Sequence, residues 1–167
     1  VVPTANPDGR ELSQFDIPQR KNLNFSAAIG TACDPTNLWP SQFAFQAGID
    51  LNRNHSFAWA TGADSSSDPC SSKYHGSAPA SEPEIFHLEA LIGGDPTLGT
   101  AGIFTDQRGP LDTDAAPNNT SGIFVALHSF GNTVVRPFSH TTTPAPNEPQ
   151  LERLSQKIAA SHDPNSL

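Results

Sequence analysis

The spacing of apolar residues predicts a first amphipathic helix directly after residue 81. Ser81 can cap this helix while Glu84 reaches back to the cap, and Pro83 lies in the first turn, where its missing N–H costs no hydrogen bond. Gly93-Gly94 is expected to end it. Its apolar positions are Ile85, Leu88, Leu91 and Ile92. These positions share one face, so the helix is expected to cover another layer of structure.

A second helix is predicted from Asn147 to Ser161. Asn147 can cap it, and Pro149 falls in its first turn. Its apolar positions are Leu151, Leu154 and Ile158, which recur at helical spacing. Both predicted helices therefore have one apolar face that needs a partner.

Three apolar segments have the character of strands. Residues 122–128 run Gly-Ile-Phe-Val-Ala-Leu-His without polar alternation, which is typical of a central strand covered on both faces. Residues 133–138 are predicted to form a further strand. Val1–Ala5 is predicted to be the end of a buried strand, stopped by a turn at Asn6-Pro7-Asp8-Gly9. Strands that alternate with helices indicate an α/β fold, here part of a mixed, mostly parallel sheet flanked by helices.

The composition predicts that this fold is loop-rich. Only 35% of the 167 residues are hydrophobic, and the chain contains 16 prolines and 12 glycines. Residues 10–47 are expected to be irregular, and residues 62–79 and 95–121 to form long loops, which in compact domains are often functional. The length suits one domain with a real core.

The charge and hydropathy of the chain argue against two classes of partner. The formal charge is −8 and nine Lys and Arg residues are spread along the chain, whereas nucleic-acid binding requires clustered basic residues. The longest apolar run, Ile123–Leu127, is far too short to cross a bilayer. The chain opens on Val1-Val2-Pro3 without a basic and then apolar secretory signal, so we expect either a processed chain or a fragment.

The two cysteines, Cys33 and Cys70, lie in loop-like surroundings rich in proline and serine. Buried apolar cysteines usually occupy strands or helices, so this pair favours a disulfide that closes a long loop, and with it an oxidising compartment. Asn-x-Ser/Thr sequons, which often arise by chance, occur at Asn24, Asn54, Asn118 and Asn119.

Residues 48–57 concentrate polar donors after a short apolar approach. The stretch Gly-Ile-Asp-Leu-Asn-Arg-Asn-His-Ser-Phe is compatible with a loop that exposes polar groups to solvent. The alternative is a site that binds an anion, because Arg53 offers a planar fork of donors matched to a carboxylate and Asn52 adds a neutral donor.

His128 ends the predicted central strand, the position beyond which ligands bind in open α/β sheets. Three interpretations stay open on these residues alone. The histidine can be satisfied by backbone groups, or it can be a metal ligand with Asn52 and Arg53 holding an anion nearby. The run Leu127-His128-Ser129-Phe130-Gly131 is also one residue short of the Gly-x-Ser-x-Gly nucleophile elbow, but leucine at its first position would crowd that turn.

Several motifs, taken in order, resemble the zinc carboxypeptidases of the pancreatic carboxypeptidase A type. They are Asn6-Pro7-Asp8-Gly9, Arg20-Lys21-Asn22, Asp50-Leu51-Asn52-Arg53-Asn54, Cys70 with Tyr74-His75-Gly76 and Ser81-Glu82-Pro83-Glu84, and His128-Ser129-Phe130-Gly131. Residues 104–110 also resemble an insertion of bacterial secreted members. The resemblance covers nearly the whole chain, and the order of the motifs is far more specific than any one of them.

The resemblance implies a role for each matching residue. Asn52 and Arg53 match the pair that binds the free C-terminal carboxylate of a peptide. Arg20 matches the arginine that stabilises the oxyanion formed at the scissile carbonyl. His128 matches the third zinc ligand. Ser129 and Phe130 match the substrate-lining Ser-Tyr pair, with tyrosine replaced by phenylalanine. Cys33 and Cys70 flank the Asn-Arg motif, as a disulfide pair of the family often does.

The resemblance further implies a secreted enzyme with one zinc ion, which hydrolyses peptides by means of a metal-activated water. The first two zinc ligands of the family come from a His-x-x-Glu motif, which this sequence lacks, and the general-base glutamate comes from further downstream than Leu167. Residues 1–167 are therefore expected to be a central segment of the catalytic domain, inactive alone. The rival hypothesis is a non-catalytic module, or structural fragment, that binds peptide C-termini.

Overall fold

The computed structural model describes residues 1–38, 47–95, 97–104, 115, 117, 122–128 and 131–161. The chain divides into two units, Val1–Ile103 and Phe104–Leu167. The first unit contains four helices among the described residues, and the second contains one. The candidate binding residues of the 48–57 stretch lie in the first unit.

Helix α1 spans Pro7–Ser13 and corrects the prediction of a simple turn at residues 6–9. Asn6 is its N-cap, and its Oδ1 accepts a hydrogen bond of 2.9 Å from the Gly9 N–H. Proline at the first helical position is already set to the helical φ. Asn6 also donates through Nδ2 to the Arg20 carbonyl at 3.0 Å, so the cap ties α1 to the segment before the core. Residues 6–9 thus start a helix, and the Asn6 side chain is bonded both to the helix backbone and to the Arg20 carbonyl.

Residues 14–38 and 47–54 contain short elements within irregular chain. The prediction of irregular structure over residues 10–47 is thus confirmed for 14–38 but wrong for 10–13, which belong to α1, and residues 39–46 lie outside the described residues. A 3-10 turn spans Ser26–Ala28, α2 spans Pro35–Leu38, and α3 spans Leu51–Asn54. Asp50 is the N-cap of α3, and its side chain accepts a hydrogen bond from the Asn52 N–H. This single turn presents the Asn-Arg pair.

Helix α4 spans Pro83–Gly93, which confirms the first predicted helix. Ile85 is buried, whereas Leu91 is exposed, so the predicted apolar stripe is only partly covered. The cap differs from the prediction, because Glu82 is the N-cap and makes no side-chain cap bond. Ser81 lies one residue before the cap position, where its hydroxyl donates to Glu82 at 2.9 Å and accepts a hydrogen bond from Asn54.

Helix α5 spans Glu148–Ser161, which confirms the second predicted helix to within one residue. The Asn147 carbonyl accepts hydrogen bonds from Gln150 and Leu151 at the start of the helix. Ser155 is buried, and the apolar positions Leu151, Leu154 and Ile158 are half-buried.

The predicted strands are not formed in the described residues. Residues 1–5, 122–128 and 133–138 have no ladder pairing, and the bridges between described residues are two isolated ones, Ser66 with Tyr74 and Asp95 with Thr100. A central strand exists only when neighbouring strands pair with its N–H and C=O groups, and no described segment does so here. Leu127 is accordingly 94% exposed.

The small core of the first unit lies around the disulfide. Cys33 and Cys70 are bonded, with their Cα atoms 5.4 Å apart, as the sequence predicts. Ala28, Cys33 and Ala47 form a buried cluster, and Phe25 and Cys70 pack against it. The bond joins positions 37 residues apart in the sequence, so it closes the loop that contains α3.

A network of buried side-chain amides holds α3 in place. Asn54 is fully buried, and the two hydrogens of its Nδ2 are shared among three acceptors, which are the His75 carbonyl at 2.9 Å, the Ala78 carbonyl at 3.1 Å and Ser81 Oγ at 2.9 Å. Its Oδ1 accepts from the Glu82 N–H at 3.0 Å. All the hydrogen-bonding groups of this amide are therefore used, and the sequon at Asn54 is closed to glycosylation in the folded chain.

The Glu82 carboxylate continues this network. It is buried and accepts hydrogen bonds from Asn22 Nδ2 at 2.7 Å and from Asn24 Nδ2 at 3.0 Å. Asn22 Oδ1 in turn accepts from the Ile49 N–H at 2.9 Å, just before α3. The chain on both sides of the Asn-Arg pair is thus attached to one buried cluster.

None of the described helices has the length and apolar character needed to span a membrane.

Candidate functional site

Asp50 joins two of the predicted site residues. Its Oδ1 caps α3 by accepting from the Asn52 N–H at 3.1 Å, while its Oδ2 accepts from Arg20 Nη2 at 2.9 Å and Nε at 3.2 Å. The Asp50 side chain is 3% exposed, whereas that of Arg20 is 50% exposed. A buried carboxylate needs donors for its charge, and Arg20 supplies two. The ion pair therefore holds Arg20 beside α3.

The Arg53 guanidinium is oriented by two backbone carbonyls. Its Nε donates to the Asp64 carbonyl at 2.6 Å, and its Nη1 donates to the Asn52 carbonyl at 3.0 Å. Nη2 alone donates to a carboxylate, that of Asp64. Arg53 therefore contacts the Asp64 carboxylate through one nitrogen, and its contact with the carboxylate of a peptide stays a prediction.

Asp64 lies between two cations in the polar loop after α3. One carboxylate oxygen pairs with Arg53, and the other pairs with Lys73 Nζ. The hydrogen bond from Lys73, followed by the one from Arg53, holds the pKa of this carboxyl below its usual value. Asp64 is nevertheless 61% exposed, while the Arg53 side chain is 20% exposed. The site thus places a solvated carboxylate over a partly buried arginine.

Lys21 lies fully buried next to Arg20 in the sequence. Its Nζ donates to the carbonyls of Pro69 at 3.0 Å and Ser71 at 2.8 Å, which flank Cys70. Burial lowers the pKa of Lys21 to about 8, although the charges of Asp50 and Asp68 act in the opposite direction. This lysine anchors the disulfide loop against the segment that carries Arg20.

The structure brings together three of the predicted site residues, Arg20, Asn52 and Arg53, around Asp50. Asn52 is exposed at the surface of α3. His128 is exposed in an irregular segment of the other unit, Phe104–Leu167. Ser129 and Phe130 lie outside the described residues, as do most of the 104–110 insertion and the sequons at 118 and 119.

No group of three or more His, Cys, Asp and Glu side chains is placed to hold a metal ion in the part of the chain that the structure describes. Catalytic zinc requires three protein ligands. The described residues therefore do not by themselves fit a catalytic zinc ion.

Three residues of this site are not among the predicted ones. Asp50 carries a sequence signal, because an Asp directly before a helical turn with a free N–H two residues later is a common cap. Asp64 and Lys73 carry none, since they lie in a loop whose course the residue pattern does not specify. Chemically, Arg53 and Lys73 present adjacent positive charges to one carboxylate, so the site can bind a carboxylate.

The sequence matches the zinc carboxypeptidase family over residues 1–166, which confirms the predicted resemblance. Zinc carboxypeptidase A 1 of Anopheles gambiae is 29% identical over 162 residues, which cover 96% of this chain and 28% of that protein. Metallocarboxypeptidase A of Trichophyton rubrum is 27% identical over 168 residues, covering 97% and 31%. Carboxypeptidase A4 of Mus musculus is 26% identical over 159 residues, covering 95% and 29%.

The chain spans less than a third of the length of these curated relatives. No solved structure matches it at a significant level. The family match nevertheless extends over nearly every residue, including all the predicted site positions. The chain therefore belongs to the zinc carboxypeptidase family.

Proposed function

We propose that the complete protein is a zinc-dependent metallocarboxypeptidase that releases C-terminal residues from peptides. Residues 1–167 contribute a central part of its catalytic domain. The observation that carries the proposal is the arrangement of Arg20, Asn52 and Arg53 around Asp50 in a chain that matches the family throughout. A partly buried arginine held by backbone carbonyls at a turn, as Arg53 is, suits the recognition of a small anion.

Arg53 and Asn52 are proposed to bind the free C-terminal carboxylate of the peptide. Arg53 can offer Nη2 and the second N–H of Nη1, because its Nε and one N–H of Nη1 already donate to the Asp64 and Asn52 carbonyls. Asn52 is exposed on the same helical turn and can add a neutral donor. Recognition of a free carboxylate at this place explains why cleavage would be limited to chain ends.

Arg20 is proposed to stabilise the negative charge that develops on the scissile carbonyl oxygen. Its side chain is half exposed, so the guanidinium can reach a substrate while Asp50 fixes its direction. A preoriented cation of this kind stabilises the transition state without reorganisation at the moment of reaction. Asp50 is a positioning residue, since its carboxylate contacts Arg20 and the α3 backbone rather than the peptide.

Zinc is implied by the family, and His128 is the proposed contribution of this chain to its ligand set. A single imidazole cannot replace three ligands at fixed geometry, so this chain alone is expected to bind zinc weakly. No catalytic step is assigned to the metal from the described residues. Ser129 and Phe130 remain proposed substrate-lining residues.

For the fold, we propose the α/β architecture with a mixed, mostly parallel sheet flanked by helices. Helices α4 and α5 each carry an apolar stripe that is only partly covered in the described residues. The apolar run at 122–128 is exposed, with Leu127 the most exposed of its side chains. In such a fold this run would be buried between neighbouring strands, and the sheet would cover the apolar stripes of the helices.

Secretion is also proposed. The Cys33–Cys70 disulfide supports it, because such bonds persist mainly in oxidising compartments.

The proposal is tested on the complete protein with an N-acetylated peptide that has a free C-terminus and with its C-terminal amide. We expect release of the last residue from the free peptide only, loss of activity with a chelator and recovery with zinc. Arg53→Gln should lower kcat/KM for the free peptide by about 100-fold, because a buried charge contact to the substrate is lost. Arg153→Gln, a surface arginine of α5, is the matched control and should leave kcat/KM unchanged.

The rival proposal is a module that binds peptide C-termini without cleaving them, and the absence of a three-ligand group among the described residues favours it. Binding of the free peptide, but not of the amide, by zinc-loaded complete protein that releases no product would support the rival. Chelator-resistant cleavage would refute the zinc-dependent mechanism.

A further inference from the structure

The carboxylate of Asp64 sits where two cations converge. Arg53 Nη2 donates to Oδ2, and Lys73 Nζ donates to Oδ1. An ordinary surface ion pair joins one cation to one carboxylate, whereas here two cations contact the same carboxylate. The arrangement has the donor pattern of a carboxylate-binding site, and Asp64 is the carboxylate that occupies it.

The Arg53 guanidinium and the backbone of Lys73 are held independently of the Asp64 side chain. The Arg53 guanidinium is fixed by the backbone carbonyls of Asp64 and Asn52. The Lys73 carbonyl accepts a hydrogen bond of 3.1 Å from the Ser66 N–H, which ties the backbone of Lys73 to the same loop. If the Asp64 carboxylate turns away, Arg53 therefore keeps its direction and Lys73 stays on the same loop.

The geometry of Arg53 explains why a second cation is useful. Its Nε and one N–H of Nη1 already donate to carbonyls, and in this structure only Nη2 contacts the Asp64 carboxylate. A carboxylate bound in the same way has its second oxygen left for another donor, and Lys73 is placed to supply it, as it does for Asp64. Asp64 is mostly exposed, so its side chain can leave for solvent at little cost.

We propose that Arg53 and Lys73 form one binding site for the terminal carboxylate of a peptide, and that Asp64 occupies this site as an internal competitor when no peptide is bound. The inference rests on the proposed function, in which Arg53 binds that carboxylate. It adds Lys73 as a binding residue and Asp64 as the group that the peptide displaces.

The experiment is calorimetric titration of the complete protein, freed of zinc with a chelator so that nothing is cleaved, with an N-acetylated dipeptide and with its C-terminal amide. Asp64→Asn keeps the size and the backbone carbonyl but removes the competing charge. It should tighten binding of the free-carboxylate peptide by about fivefold and leave the amide unchanged. Glu11→Gln, which removes a negative charge from exposed α1, is the matched control and should leave both affinities unchanged.

Lys73→Gln tests the second cation. Combined with Asp64→Asn, it should weaken binding of the free-carboxylate peptide by about fivefold relative to Asp64→Asn alone, again without an effect on the amide. Lys157→Gln on exposed α5 is the control for loss of a lysine charge. Circular dichroism and thermal unfolding of each variant verify that it is folded.

The outcomes separate this inference from the proposed function. If Asp64→Asn binds the peptide and Arg53→Gln in that background abolishes binding, the proposed function stands. Unchanged or weaker binding in Asp64→Asn then overturns the competitor, and an unchanged affinity on adding Lys73→Gln overturns the second cation. If neither wild type nor Asp64→Asn distinguishes the free peptide from the amide, both the inference and the proposed role of Arg53 fail.

Discussion

Two regions next to α3 use polar groups in contrasting ways. In the buried region, Asn54 and Glu82 each make several hydrogen bonds to fixed partners. In the exposed region, Arg53, Asp64 and Lys73 form ion pairs in which the shared carboxylate is mostly exposed. The polar groups of the buried region cannot replace a lost partner with water, whereas those of the exposed region can do so at little cost.

The comparison indicates how one short turn serves both stability and binding. A buried polar group that loses its partner keeps the full desolvation cost, so the buried region is expected to set the free energy of unfolding. An exposed ion pair contributes little to folding, so the exposed region is free to change partners. The predictions below test this division in order of expected effect.

Asn54→Ala should have the largest effect on stability. It removes every hydrogen bond of a fully buried amide and takes away the acceptor of the buried Glu82 N–H, whereas the His75 and Ala78 carbonyls keep donors in Trp59 Nε1 and the Ser81 N–H. The free energy of unfolding should therefore fall by about 4 kcal/mol. Urea unfolding followed by tryptophan fluorescence measures it, since Trp59 Nε1 donates to the His75 carbonyl beside this network. Asn52→Ala, at the exposed face of the same turn, should change stability by less than about 0.5 kcal/mol. Equal losses in the two variants would contradict the comparison.

Loss of the disulfide comes next. The double variant Cys33→Ala and Cys70→Ala should reduce the free energy of unfolding by about 3–4 kcal/mol, because the bond restricts a long loop in the unfolded chain. Unfolding of the wild type in the presence of a reductant should show a similar decrease. Two titratable thiols in the denatured, unreduced wild type would show that the bond is absent.

Lys21 should make stability depend on alkaline pH. Its pKa in the folded state, about 8, lies below the ordinary value of 10.5, so between these values the unfolded chain binds more protons. Stability should therefore rise with pH in this window, by roughly 1–2 kcal/mol from this group. Urea unfolding at several pH values, compared with Lys21→Met, isolates the contribution. A wild-type slope equal to that of Lys21→Met would rule it out.

Asp64→Asn should have the smallest effect on stability. Its ion pairs are exposed, so the free energy of unfolding should stay within about 0.5 kcal/mol of wild type. Raising the salt concentration should make the difference in free energy of unfolding between Asp64→Asn and wild type smaller still, because salt screens exposed ion pairs. A loss above about 2 kcal/mol in the same urea experiment would mean that Asp64 holds the loop together and is not free to leave Arg53.

Local signals account for the parts of the fold that were predicted. Helices α4 and α5 follow from apolar spacing and from prolines in their first turns, all of which act within a few residues. The start of α1 was missed because Asn-Pro-Asp-Gly suits both a turn and a helix cap. A contact with a carbonyl 14 residues away, that of Arg20, accompanies the capped helix. The predicted cap of α4 was wrong for a related reason, since the Ser81 hydroxyl accepts a hydrogen bond from Asn54, which is distant in the sequence, and Glu82 takes the cap position.

The predicted strands depend on pairing with distant segments, and a run of apolar residues does not state its partners. Residues 122–128 have the composition of a buried strand but stand exposed in the described chain. The sheet of the proposed fold consequently stays a prediction.

By itself, the sequence determined what acts over short distances along the chain. This includes the two amphipathic helices and the adjacency of Asn52 and Arg53, and the cysteine pair was inferred from its surroundings. Only the tertiary structure decided which charge meets which, because an ion pair forms wherever loops bring two side chains within a few ångströms. Arg20 thus meets Asp50, 30 residues away, and Arg53 meets Asp64 across a loop with no periodic pattern. The chemistry of the turn was legible in its residues, but its partners depended on the path of the backbone.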